Sequence, residues 1–301
     1  MEAVMGRSWR ENYPRRSRSW DHGVMPDFST IGYEVEGAVC TITLDRPEVA
    51  NAQNTAMIDE LDAAFDLADA DDAVRVLILA GNGKHWSAGH DLKALVGDTE
   101  PDQWRLMRET PEGKWHHEKV MYFDRCVRIR DFRKPTIAAV QGKCIAAGVM
   151  LACMCDLIVA SDDASFQNPV LRMTGAAVEI LVEPWEMPAR KAKEFLLAAE
   201  TFTAAEAERL GMVNRVVPRA DLAAETRALA ERIALVPPTT AQVVKRSINK
   251  TLDLQGQRDA WDYHFQAHHW MHNTSTALDA LEARKAKGSM KEVFAEHRDG
   301  S

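Results

Sequence analysis

Two short segments of the 301-residue chain carry residue types that could do chemistry. The first is Trp86-Ser87-Ala88-Gly89-His90-Asp91-Leu92-Lys93; the second is Gln141-Gly142-Lys143-Cys144-Ile145-Ala146-Ala147-Gly148. Each is rich in small residues and lies where a strand-like run gives way to a helix start. The first N–H groups of a helix have no partner inside it and point outward as donors. Small side chains let a bound molecule approach that backbone closely. Two such donors, one from each loop, can converge on a single oxygen and stabilise the charge that develops on it, which is the recipe for an oxyanion hole.

The flanking elements are those that would position such loops. Val74–Ala80 precedes the first and Thr136–Val140 the second, both runs of buried-strand type. Ile31–Val35 and Ala38–Leu44 surround the turn Glu36-Gly37 and predict a hairpin. Met57, Leu61, Ala64, Phe65 and Ala68 recur at helical spacing over Asn54–Asp69. A small-residue helix (Ala146–Cys155) and a strand (Leu157–Ala160) follow the second loop. Alternation of strand, turn and helix predicts an α/β fold with crossover connections. Beyond Pro188 the chain turns rich in Ala, Glu, Arg and Leu, with helices expected at Ala189–Ala199, Ala204–Leu210, Ala220–Leu235 and Thr239–Leu254. A short strand, Val213–Val217, interrupts them. The tail Trp261–Phe294 also reads as helical, and its Trp261, Phe265, His268, His269 and Trp270 suit packing or an oligomer interface.

Composition narrows the class. Hydrophobic residues make up 46% and charged residues 27%, which excludes disordered, collagenous and coiled-coil chains. A net charge of −8 gives no electrostatic reason to expect nucleic acid as a partner. No apolar run approaches the roughly 20 residues of a membrane span, and the longest, Ile145–Cys155, reads as a buried helix. The five cysteines (Cys40, Cys126, Cys144, Cys153, Cys155) are odd in number and lack C-x-x-C spacing, so buried reduced thiols are expected rather than zinc or disulfides. Arg7, Arg10, Arg15, Arg16 and Arg18 crowd residues 1–29, which show no period and no apolar signal core; Glu2, Glu11 and Asp21 argue against a transit peptide. That segment reads as an irregular arm, and a cytoplasmic enzyme or binding protein as the whole.

The two loops, in this order, resemble those of the enoyl-CoA hydratase/isomerase (crotonase) superfamily. Ile42-Thr43-Leu44-Asp45-Arg46-Pro47, Asn51-Ala52, Val74–Leu79, Lys134–Val140, Cys155–Ile158 and Ala205–Asn214 agree with it, so the resemblance runs from about Ile31 to the C-terminus. It implies a spiral of ββα turns over residues 30–200, carrying an acyl-CoA site, and a helical C-terminal region over 201–301 that serves oligomerisation into trimers or hexamers. Coenzyme A is then part of the substrate, with no permanently bound cofactor. Carried over residue by residue, the oxyanion donors are the backbone N–H groups of His90 and Ala147. Coenzyme A is placed along Val49, Ala50, Ala88, His90, Asp91, Leu92, Lys93 and Gly142.

The chain departs from the family where acid–base chemistry is concerned. Hydration needs one group to deprotonate water and one to deliver a proton to the α-carbon. The family's two glutamates fall at Met150 and Val170, both apolar. Glu179, nine residues after Val170, is the candidate replacement, as in the dienoyl-CoA isomerases and chlorobenzoyl-CoA dehalogenases that the region resembles. An apolar surrounding would raise its pKa, as a general acid–base requires. Ser-Ala-Gly-His-Asp at the first loop also looks like the methylmalonyl-CoA decarboxylases, which offers the His90 side chain a carboxylate-binding role. Asp91 reads as a helix cap, and Glu183, Trp185 and Glu186 as wall or cover of the acyl pocket. His116 and His117 are adjacent, cannot share a helix face, and predict no metal site. Enoyl-CoA hydration or isomerisation is the leading expectation. The alternatives are a malonyl-type CoA decarboxylase and a non-catalytic acyl-CoA-binding protein.

Overall fold

A computed structural model describes residues 26–92, 109–173 and 175–287. The expected arm therefore lies, except for its last four residues, outside the described part, as do Lys93 and the chain beyond residue 287. The elements are β1 (Ile31–Glu36), β2 (Val39–Leu44), α1 (Thr55–Ala70), β3 (Val76–Gly81), α2 (Pro111–Glu118), α3 (Arg125–Asp131), β4 (Thr136–Val140), β5 (Lys143–Ile145), α4 (Ala147–Cys153), β6 (Leu157–Ser161) and β7 (Ser165–Gln167). They continue with α5 (Glu183–Glu186), α6 (Ala189–Leu197), β8 (Phe202–Thr203), α7 (Ala204–Leu210), β9 (Arg215–Val217), α8 (Leu222–Ala234), α9 (Pro238–Leu254), α10 (Gln257–Met271) and α11 (Ser275–Lys287).

Six strands form one sheet in the order β1-β2-β3-β4-β6-β9. The predicted hairpin pairs β1 with β2 antiparallel, and every later pairing in that sheet is parallel. A second sheet, β5-β7-β8, stands apart from it. Strands after residue 200 thus complete both sheets: β8 joins β7, and β9 joins β6.

The parallel strands read as unbroken apolar runs because both faces are covered. Cβ alternation divides them between two clusters. Leu77, Leu79, Ala138 and Val140 face a core shared with Phe65 and Trp86. Val76, Ile78, Ile137, Ala139 and Val159 face the opposite way, under Leu222, Ala230 and Ala234 of α8. All five cysteines are free; Cys153 is half-buried and the rest buried.

The C-terminal tail is two helices, broken between Met271 and Ser275, rather than one. Here α9 is fastened to the body by polar groups. Arg130 is buried and donates to the Asn249 carbonyl, Asp253 and Gln257 at 2.9, 2.9 and 2.6 Å. Lys245 pairs with Asp156 at 2.8 Å. No residue of α9 is buried.

Candidate functional site

The two small-residue loops leave the C-terminal ends of β3 and β4, where open α/β sheets place their ligand crevices. Residues 87–90 run as a thin extra strand between two neighbours. On one side Gln53 donates its N–H to the Gly89 carbonyl and accepts from the Asp91 N–H at 2.8 and 2.9 Å. On the other, the Ile145 N–H donates to the Ser87 carbonyl at 2.9 Å, and the Ser87 N–H to Lys143 at 3.2 Å. This clamp turns the His90 N–H away from Gln53. Among the described residues neither it nor the Ala147 N–H, the first of α4, finds a protein acceptor.

Close approach of the loops depends on two glycines. A Cβ on Gly89 would lie 2.9 Å from the Ile145 carbonyl and 3.1 Å from the Ala147 nitrogen. A Cβ on Gly148 would lie 2.6 Å from the Ser87 carbonyl. Ala146, just before the donor, holds φ 52° and ψ −116°, a region L-residues avoid at a cost of about 1–3 kcal/mol. That strain aims the Ala147 N–H.

Ser87 is the hub. Its Oγ donates to the Asn51 carbonyl at 2.9 Å and accepts from the Gly89 N–H at 3.2 Å. Gln53 Nε2 reaches Ser87 Oγ and the Ala147 carbonyl, each at 3.3 Å, tying the loops together. Trp86 is wholly buried and donates its indole N–H to the Gly148 carbonyl at 3.2 Å.

The structure brings His90 and Glu179 into contact. His90 Nε2 lies 3.0 Å from Glu179 Oε2, with both side chains nearly buried. The His90 ring stacks on Tyr122 at 4.1 Å between centroids, and its Nδ1 is buried without a hydrogen bond. Tyr122 comes from a six-residue π-turn, Lys119–Asp124, of a kind frequent at functional sites. Burial pushes the Glu179 carboxyl up, but the charge and hydrogen bond of the His90 ring, with the His268 charge, outweigh it and hold it at about 2. The raised pKa expected from an apolar surrounding is therefore corrected: the surrounding contains an imidazole. Nearby, a cavity of about 30 Å³, lined among others by Gln53, His90, Tyr122, Cys126 and Leu151, has room for a water or two.

The loop holding Glu179 is fastened by helix α10. His264 Nε2 meets the Val178 carbonyl at 2.9 Å, and His268 Nδ1 the Ala176 carbonyl at 3.4 Å. Nothing local marks these histidines, or Tyr122, as members of the site. They come from parts of the chain remote in sequence from His90 and Glu179, and the sequence reading marked His268 only as suited to packing or an interface.

The remaining candidates fall into place as follows. Ala50, with φ 53°, accepts from the Ala88 N–H at 2.9 Å, so the Val49–Ala50 turn and the first loop adjoin. Asn51 fixes that turn, accepting from the Arg46 N–H at 2.8 Å and donating to the Asn82, His85 and Trp86 carbonyls. Asp91 precedes the helical Leu92 and pairs with Arg46 at 3.0 Å. Gly142 is buried with φ 54° against the Lys84 carbonyl, and its own carbonyl accepts from Ser165; it shapes the turn between β4 and β5. Met150 is fully buried in α4, and Val170 starts a 3-10 turn. Glu183 accepts from Asn168 at 2.8 Å, and burial pushes it up. Burial and the Glu183 charge push Glu186 to about 7.

A parallel-stranded α/β core with two unbonded backbone N–H groups on adjoining loops is the arrangement that the resemblance to the enoyl-CoA hydratase/isomerase superfamily implies. The profile of the enoyl-CoA hydratase/isomerase family matches residues 34–291, and the chain belongs to that family. A Mycobacterium tuberculosis protein with an enoyl-CoA hydratase name, EchA13, is 43% identical over 263 residues, covering 82% of this chain and 81% of its own. A crystal structure titled as a probable enoyl-CoA hydratase from Mycobacterium smegmatis is 46% identical, with a TM-score of 0.76 over 83% of this chain and 97% of that one. One titled as an enoyl-CoA hydratase/isomerase from Xanthobacter autotrophicus Py2 reaches 0.80 at 32% identity, covering 91% and 98%. No described helix is long and apolar enough to cross a membrane.

Proposed function

We propose that the chain hydrates or isomerises an enoyl-CoA thioester. The His90 and Ala147 N–H groups would hold the thioester oxygen, and the Glu179–His90 pair would move the proton. One observation carries this reading: two backbone N–H groups without protein acceptors sit on adjoining loops beside a buried carboxylate–imidazole pair. As the acyl group reacts, the thioester oxygen gains enolate charge, and loss of one such donor costs about 10²–10³ in rate. Glu179 stays ionised at neutral pH and orients the ring beside it. In hydration the pair would take a proton from water as its hydroxyl adds to the β-carbon and would return one proton to the α-carbon. In isomerisation it would take a proton from one carbon of the acyl chain and return it to another, in place of the family's two glutamates. Coenzyme A enters as part of the substrate, along Val49–Ala50 and Ala88–Leu92.

Glu179→Gln tests the reading. Loss of conjugated thioester absorbance, followed over 2-enoyl-CoA esters of several chain lengths, is expected to slow by about 10²–10⁴, with acetoacetyl-CoA binding retained. Full activity in Glu179→Gln would remove that residue from the mechanism. No turnover of any enoyl-CoA by the wild type, with CO₂ released from methylmalonyl-CoA, would instead favour decarboxylation. Binding without either reaction would identify an acyl-CoA-binding protein.

The same reading makes residues 201–301 an oligomerisation region and the assembly a homotrimer or hexamer. What supports it is α9, which turns polar groups to its own body and exposes Val243, Val244, Ile248 and Leu254.

A further inference from the structure

Between α2 and α10 lies a cluster that the proposed reaction does not use. Glu118, the last residue of α2, is buried, and its Oε2 makes no hydrogen bond to a protein atom. Three histidines surround that oxygen: His268 Nε2 at 3.8 Å, His272 Nε2 at 3.7 Å and His269 Nδ1 at 3.7 Å. His269 Nδ1 is likewise buried and unbonded. A buried carboxylate oxygen that makes no hydrogen bond, with three imidazole nitrogens held just beyond hydrogen-bond reach, calls for an explanation.

We propose that Glu118, His268 and His272 form a binding site for a divalent transition-metal ion of the zinc class. The two Nε2 atoms are 2.9 Å apart, and each faces Glu118 Oε2. The circle through a triangle of those three sides has a radius of about 2.0 Å, the length of a zinc–imidazole or zinc–carboxylate bond. An ion at its centre, or slightly above the plane, touches all three atoms without any of them moving. The spacing His268/His272 is i, i+4, which puts both rings on one face of the helix end. His268 Nδ1 faces the Ala176 carbonyl at 3.4 Å, the outer hydrogen bond that fixes the tautomer of a metal-bound imidazole. Entry is from the side of His272, whose side chain is 26% exposed, and water takes the fourth position there. Two imidazoles and one carboxylate select Zn²⁺, Co²⁺ or Ni²⁺ over Mg²⁺ or Ca²⁺, which take oxygen ligands. Such an ion would tie α2 to α10 and, through Ala176, to the loop that carries Glu179.

The test uses the full-length chain, stripped with a chelator and titrated with Zn²⁺ by calorimetry and with Co²⁺ by visible absorption. One equivalent per chain is expected, with the intense d–d bands of a four-coordinate site and no thiolate-to-cobalt charge-transfer band. Glu118→Gln and His272→Ala are each expected to weaken Zn²⁺ by about tenfold or more, while His264→Gln, outside the triad, leaves it unchanged. Wild-type protein that takes up no Zn²⁺ would overturn the proposal, as would a charge-transfer band assigning the metal to cysteine. Affinity unchanged in both folded ligand variants would overturn it too. Should either variant fail to fold, the cobalt spectrum of the wild type still decides.

Discussion

Glu179 shows how one neighbour reverses what burial alone dictates. Without a partner its carboxyl would be pushed up; beside His90 it is held at about 2. The folded pKa lies below the ordinary carboxylate value, so the pair's stabilisation is present above about pH 4.5 and is lost as pH falls toward 2. His90→Ala keeps the backbone donor and removes the ring, leaving a buried charge with only the His268 charge and a backbone hydrogen bond to offset burial. The variant is expected to lose about 3–5 kcal/mol at pH 7. Because burial now raises the Glu179 pKa, protonation relieves the penalty, and the deficit should shrink on acidification toward pH 4.5. Urea midpoints of both proteins across that range check the sign; a deficit constant with pH would mean that ring packing on Tyr122, not charge, was lost. The position of Glu179 was legible in the sequence, its electrostatics were not. The carboxylate could be picked out because the family's two glutamate positions hold Met150 and Val170, but its partner is 89 residues away and nothing local pairs them.

At the level of elements, the reading from periodicity held where strands are buried on both faces and helices have one apolar stripe. Thr136–Val140 is observed as predicted, and β3 begins two residues later than the run that announced it. What periodicity could not show was the strand-like path of residues 87–90, because a stretch paired by isolated bridges carries no alternation to detect. Nor could it show the π-turn that delivers Tyr122. The loops' small residues did signal close approach, and the structure gives that signal its measure. A methyl on Gly148 would lie 2.6 Å from the Ser87 carbonyl, a backbone atom that cannot swing aside. Gly148→Ala is therefore expected to part the two loops by several tenths of an ångström and misalign the Ala147 donor with that of His90. Turnover should fall by about 10²-fold, the scale of losing one oxyanion donor, with a stability loss of about 1–3 kcal/mol from overpacking. Steady-state kinetics beside a thermal melt separate the two. A melt shift with unchanged turnover would show that the donors tolerate the displacement.

The whole molecule raises a question of surface. Helix α9 carries Val243, Val244, Ile248 and Leu254, all more than half exposed, and Leu235 and Val236 precede it. Contiguous exposed apolar groups of this kind mark interaction surfaces in soluble proteins. The helix is fixed to its own body by Arg130, Lys245 and Asn249, so the polar side has been used and the apolar side remains. A closed homo-oligomer, as proposed above, would explain this division, since each copy would offer the same helix and the same neighbouring surface. Light scattering on the purified chain is expected to give a trimer or hexamer mass. Val244→Glu with Ile248→Glu places two charges on that face without touching the sheets, and is expected to dissociate the assembly while far-UV circular dichroism stays native. An unchanged mass in the double variant would move the interface away from α9, and the exposed stripe would then need a different partner. If the assembly dissociates and turnover falls with it, the neighbouring copy supports the thioester site. If turnover persists in the monomer, the two small-residue loops and the Glu179–His90 pair suffice for the reaction without a neighbouring copy.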